Sequence, residues 1–236
     1  MPQYLHFVDV ETRREWVSRK VRRQVLWYGE HCYIRRATSD RKAQVHWYKF
    51  TTPDEFWDVM LAWTRPKTRH YLIAHNLKAD ARALHFVAHL SKRGWTLKQL
   101  WDRNNVRLFR WTKGKATLMI ADNMNWFNNT IEEIGEWVGV EKIQIDWDNP
   151  DQDAVKRRCH NDVLTMIKEF EWWLKTIQER DWGNFGITAT KQAWNMYLHR
   201  FYQGHIYLHK GYRLCKLERA ALKGARCDIQ RMGRWF

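Results

Sequence analysis

Apolar and polar residues alternate from Tyr4 to Glu11, so Leu5, Phe7, Asp9 and Glu11 share one face of a predicted strand. A hairpin is expected through Gln24 to Arg36, then a strand at Gln44 to Phe50. Thr52-Pro53-Asp54-Glu55 combines a capping box with proline at the first helical position, which predicts a helix to about Trp63. Tyr71 to Ala74 is an apolar strand, followed by a helix marked by Ala83, Leu84, Val87, Ala88 and Leu90 and stopped by Gly94. Val106 to Trp111 and Lys115 to Asp122 flank the turn Thr112-Lys113-Gly114 and read as a hairpin. A short helix follows, with Asn129 as cap and Glu132 at the third position. A long helix runs from about Pro150 to Gln178, capped by Asn149-Pro150, and Thr188 to Tyr202 forms another. Periodicity alone gives an α/β class.

Four acids interrupt this pattern. Asp9 and Glu11 end the first strand, and residues two apart on a strand lie about 7 Å from each other, so both carboxylates can reach a bound divalent cation. Taken alone, the pair equally describes a strand that ends in two solvated acids. Asp80 falls on the first turn of the helix after Tyr71 to Ala74, where the partial positive charge of a helix start favours an acid. Asp162 lies on the apolar stripe Val155, Cys159, Met166 and Phe170 of the long helix. A carboxylate there costs several kcal/mol unless it is hydrogen-bonded, metal-bound or paired with a nearby Arg or Lys.

The net charge points to a polyanionic partner. The chain carries 41 Lys and Arg against 26 Asp and Glu, a formal charge of +15, and such a surface attracts nucleic acid by counterion release and long-range steering. Sixteen Trp are present, most of them needed as core bulk. Trp95, Trp111 and Trp126, each near basic residues, are candidates for stacking on unpaired bases, worth about 1–3 kcal/mol per base. No apolar run is long enough for a membrane span, and no amino-terminal signal or transit peptide is expected ahead of a strand that begins by Tyr4. Cys32, Cys159, Cys215 and Cys227 form no Cys-x-x-Cys pair, which suits free thiols in a reducing compartment, the cytoplasm or, for a viral protein, the host cytoplasm. The histidine pairs His85/His89 and His205/His209 lack the partners of a zinc site, and no Walker-type phosphate loop occurs.

The order Asp9-Val10-Glu11, then Asn76-Leu77-Lys78-Ala79-Asp80, then Cys159-His160-Asn161-Asp162-Val163 resembles the three motifs of the DEDD 3′–5′ exonuclease superfamily. Within it the chain is most similar to the proofreading domain of family B DNA polymerases, especially the protein-primed enzymes of phages and linear plasmids. His75 to Asp80 resembles the second motif, with Ala79 where an aromatic residue is usual. Ala121-Asp122-Asn123 and Thr130-Ile131-Glu132-Glu133-Ile134 resemble a strand-end motif and a single-strand-binding motif of that family.

The resemblance implies a ribonuclease H-like exonuclease fold over residues 1–182, a mixed central sheet flanked by helices. Residues 183–236 would form a helical or irregular extension resembling a linker toward a polymerase domain, with Arg219 to Arg226 in the place of the family's Tyr-x-Gly-Gly region. It implies two Mg2+ or Mn2+ ions, Asp9 bridging both, Glu11 and Asp162 completing one site, and Asp80 acting through ligated water on the other. It further implies that Lys142 positions the scissile phosphate and that His75, Asn76, Thr130 and Ile131 contact the substrate. The tyrosine subclass carries Tyr where this chain has Arg158, and the histidine subclass carries His where it has Arg157. Arg158 therefore either clamps the phosphate, as a guanidinium's paired donors allow, or pairs with a catalytic acid.

The expected activity is metal-dependent 3′–5′ hydrolysis of single-stranded DNA or frayed 3′ ends in phage or plasmid replication. The sequence ends at Phe236 before any palm motif, so no polymerase activity of its own is expected and a separate polymerase subunit is a candidate partner. Two alternatives stand beside this: a catalytically weak single-strand-binding or polymerase accessory module on the same fold, and an exoribonuclease. Fold decides none of them.

Overall fold

In a computed structural model describing residues 1–19, 21–103, 106–202, 204 and 211–221, the first strand continues well past Glu11. Strand β1 is Tyr4–Ser18 and β2 is Val21–Arg35; these two pair as a hairpin, so the stretch 24–36, expected to be a hairpin in itself, lies almost wholly in one strand. There follow β3 (Gln44–Phe50), α1 (Pro53–Ala62), β4 (Arg69–Ala74), α2 (Lys78–Ala83), α3 (Phe86–Lys92), β5 (Thr96–Arg103), β6 (Val106–Lys113) and β7 (Ala116–Asp122). A 3-10 turn at Asn123–Asn125 precedes α4 (Ile131–Val138), α5 (Gln152–Glu179) and α6 (Ala189–Arg200). The seven strands make one mixed sheet in the order β3-β2-β1-β4-β7-β6-β5. β4 is parallel to both β1 and β7, and the remaining neighbours are antiparallel.

Helices cover both faces. Val8, Leu72, Ala74, Leu118 and Ile120 pack against Phe56, Trp57 and Met60 of α1 and the α2–α3 region. Leu5, Phe7, Tyr71, Ile73 and Ala121 pack on the other side against Val163, Met166, Phe170 and Leu174 of α5. Because Leu5 and Phe7 face α5, the period of two carries Asp9 and Glu11 toward the same helix. On the α1 side, His6 lies 2.9 Å from His31 and 2.8 Å from His70, ring nitrogen to ring nitrogen, a buried imidazole row across three adjacent strands.

Several expectations are corrected. The single helix after β4 is two, because His85 adopts a left-handed φ of 47° and the Leu84 carbonyl accepts the Trp57 indole N–H at 2.8 Å. α4 is capped one residue later than expected, by the Thr130–Glu133 capping box, and Gly139 ends it at φ 69°. Asp151, not Asn149-Pro150, caps α5. Trp95, Trp111 and Trp126 are core residues, unable to offer a face to a base. β5 carries no sequence expectation.

The chain divides into two compact units, Met1–Phe201 and Tyr202–Phe236, so the first extends past the boundary expected at 182. The Trp126 indole donates to the Gly186 carbonyl at 2.8 Å, and Phe185 packs on Trp126 and Phe170, which ties this stretch to the core. In the second unit α7 is Tyr212–Ala221. The Tyr-x-Gly-Gly-like stretch from residue 222 onward, His205, His209 and Cys227 lie outside the described residues. Among the described residues no helix is long and apolar enough to cross a membrane.

Candidate metal centre and substrate cleft

The strand that begins as core carries two acids midway along its length. Asp9, Glu11 and Asp162 each present a carboxylate oxygen, and these three atoms all lie within 4.8 Å of one another. α5 is held in place for this by Cys159, whose thiol donates to the Asp9 carbonyl at 3.3 Å. Burial, then the neighbouring charges of Asp162 and Glu11, push the Asp9 carboxyl well above its ordinary range. Burial pushes Glu11 to about 7 against the opposing pull of Arg158, and burial raises Asp162 against the pull of Lys142. Crowded carboxylates that resist ionisation are a strong electrostatic demand for a cation.

Asp80 sits on the first turn of α2, buried, outside the three-oxygen cluster but close enough to feel Asp9. Burial and then Asp9 raise its carboxyl well above the usual range. The donor set is all carboxylate oxygen, which fits a hard divalent ion such as Mg2+ or Mn2+ and not a thiol- or imidazole-seeking metal.

Two protein cations already touch this cluster. Lys142 Nζ lies 3.3 Å from Asp162 Oδ2. Arg158 Nε lies 3.1 Å from Glu11 Oε1, an ion pair whose angles fall short of a hydrogen bond. Arg158 also donates to the Ile143 carbonyl at 3.1 Å and stands 5.6 Å from the centroid of the Trp147 ring. Arg158 is thus paired with an acid, one of the two arrangements open to it from sequence. His160 points elsewhere, to Glu30 at 3.2 Å.

The four residues expected to contact substrate come together. His75, Asn76, Thr130 and Ile131 line one cleft of about 640 Å3, with Arg107, Met124 and neighbours completing it. Asn76 holds a left-handed φ of 56°, a conformation Asn tolerates better than most residues. Asp122 fixes it there. This fully buried carboxylate accepts the Asn76 and Leu77 backbone N–H groups at 3.0 and 3.1 Å and the Met124 N–H at 3.1 Å. Arg107 pairs with it at 2.8 Å.

Sequence reasoning missed Glu169. It is buried and accepts from Asn123, whose side chain lies 3.4 Å from His75, and burial pushes its carboxyl to about 8. Counting along α5 in sevens from Asp162 would have found it, since both lie on the stripe that faces the sheet.

Solved structures of phi29 DNA polymerase share this fold. The complex with primer-template DNA and incoming nucleotide superposes with a TM-score of 0.61 at 15% identity, covering 93% of this chain and 39% of that one. The complex with single-stranded DNA gives 0.58, again at 15% identity and with the same coverage. The chain thus spans 39% of the polymerase chains it matches. No protein-family model and no curated protein matches the sequence.

Proposed function

We propose that the protein is a metal-dependent 3′–5′ exonuclease of the DEDD type on a ribonuclease H-like fold, acting on single-stranded DNA or frayed 3′ ends. One observation carries the reading: three carboxylates within 4.8 Å of one another, with crowded, raised acids, next to a cleft lined by His75, Asn76, Thr130 and Ile131. The phi29 polymerase structures supply support at the level of fold, and their bound single-stranded and primer-template DNA suits a DNA substrate here.

Asp9, Glu11 and Asp162, with Asp80 beside Asp9, would hold Mg2+ or Mn2+. When bound, such ions supply charge neutralisation for a phosphoryl oxygen and activation of water. The chain's own residues do the rest. Asn76 and His75 would orient the terminal nucleotide, Thr130 and Ile131 would hold the strand behind it, and Lys142, at the edge of the acid cluster, would meet the scissile phosphate. Proofreading or replication beside a separate polymerase subunit is the setting this activity fits.

The test is degradation of a 5′-labelled single-stranded oligonucleotide with Mg2+ or Mn2+, comparing wild type with the double variant Asp9→Ala, Glu11→Ala. A ladder shortening from the 3′ end, abolished in the variant, is expected. Binding without cleavage in both proteins would favour a second reading, a single-strand-binding module on the same fold. The ion pairs Arg158–Glu11 and Lys142–Asp162 are the observation behind it, since cations of the protein itself sit where metal charge is needed.

A further inference from the structure

Beyond Glu11 the first two strands leave the sheet. β1 pairs with β4 only from Tyr4 to Phe7, and β2 pairs with β3 only from Gly29 to Arg35. From Thr12↔Leu26 to Ser18↔Val21 the two strands pair only with each other, a ribbon about 20 Å long at about 3.3 Å per residue. The register shifts between Glu11 and Thr12, where Trp27 is the extra residue. Such a bulge bends the strand and increases its twist, so it separates the segment bearing the acids from the projecting segment and re-aims the latter.

The ribbon is strongly cationic. Residues 12–26 contain six basic residues and one acid, Glu15. Arg13 and Arg23 both pair with Glu15, at 3.0 and 3.5 Å, and one carboxylate leaves most of that charge unbalanced. Alternation puts Arg13 and Arg23 on one face and Arg14 on the other, and Arg19 is exposed at the turn. Two clefts open at the ribbon's base. One of about 840 Å3 runs from Thr12 and Arg23 to Lys78 and Arg82 of α2. The other, about 550 Å3, runs from Glu11 and Arg14 to Trp147.

We infer that this ribbon is an arm that grips the double-stranded part of a DNA substrate, lying in its major groove behind the frayed 3′ end. A two-stranded ribbon fits a groove about 12 Å wide, and about 20 Å of it spans roughly six base pairs. Positive charge on both faces suits two sugar–phosphate walls. A single strand calls for one basic face with a row of stacking aromatics, and this ribbon exposes one aromatic, Trp16 at 61%. The assignment rests on the nuclease reading only for where the 3′ end lies; the grip on the duplex does not depend on cleavage.

The test replaces Arg13, Arg14, Arg19 and Arg23 together by Ala, and in a second variant by Lys. Affinity is measured across a salt series for a DNA hairpin with a short 3′ tail and for a single strand of the tail sequence. Expected is a loss of roughly tenfold or more on the tailed hairpin, with a salt slope shallower by about 0.9 per phosphate contact removed. The single strand changes less than about twofold, and the Lys variant restores binding because the slope counts charges. An unchanged melting temperature shows that the fold survives. Equal losses on both substrates overturn the duplex assignment, and no loss on either overturns the arm. If wild type grips the tailed hairpin through these arginines but never cleaves it, the arm stands and the nuclease reading falls. If wild type cleaves and the Ala variant binds as well as wild type, the arm alone falls.

Discussion

Arg158 Nε stands 3.1 Å from Glu11 Oε1, so this acid faces a cation of its own chain before any ion arrives. Removing that cation removes a competitor for the metal at Glu11, while leaving the acid itself harder to ionise until the metal arrives. Arg158→Ala is expected to tighten Mn2+ binding by about tenfold, equivalent to about 1.4 kcal/mol, in isothermal titration calorimetry. Weaker binding would mean that Arg158 positions Glu11 and does not compete for it.

Asp9→Asn separates stability from function. Burial and two acid neighbours make the ionised Asp9 unfavourable in the native state, and the amide keeps the shape without the charge. In metal-free buffer near pH 8 the variant should unfold later, by about 2–4 °C per kcal/mol of relieved repulsion. Nuclease turnover should fall at least about a hundredfold, the usual scale for losing a group that stabilises transition-state charge.

Glu169 gives the alkaline limb of stability a specific origin. Its folded carboxyl is raised from about 4.5 to about 8 by burial. The native state therefore holds a proton that the unfolded chain has released, and the associated stability, full below about 4.5, is lost as pH rises through 8. Glu169→Gln should flatten urea-melt stability between pH 5 and 9, by up to about 1.4 kcal/mol per pH unit.

The histidine row works in the opposite direction. Burial lowers His31 to about 3 and His70 to about 4, and lowers His6 well below its usual 6.5. The unfolded chain takes up protons below about 6.5 that the fold refuses, so stability present above that pH is lost as pH falls toward 4. His31→Phe should reduce this acid slope by up to about 1.4 kcal/mol per pH unit in the same melts. An unchanged slope would place the acid limb elsewhere.

Local chemistry was legible in the sequence, and long-range partners were not. Thr52 and Glu55 announce the start of α1 because their reciprocal bonds are three residues apart, and Asp162 betrays itself by sitting on an apolar stripe. The cap of α4 was displaced because Asn129–Glu132 and Thr130–Glu133 offer the same spacing, and only the fold selects the second. The break at His85 depends on Trp57, 27 residues away. Residues 12–23 carry no expectation from sequence because arginines hide the period of two, while pairing with the facing strand makes them β. A Trp near a basic residue looks alike whether it stacks on a base or fills a core, which is why Trp95, Trp111 and Trp126 were misread.

Asp122 joins the loop after β4 to the turn after β7 through three backbone N–H groups and Arg107. Lengthening either segment by one residue would unseat both, so this end of the sheet has little freedom to accept insertions. The ribbon from Thr12↔Leu26 to Ser18↔Val21 pairs with no third strand among the described residues. Divergence in how substrates are approached can accumulate there by changes in strand length, while the geometry around the acids stays as it is.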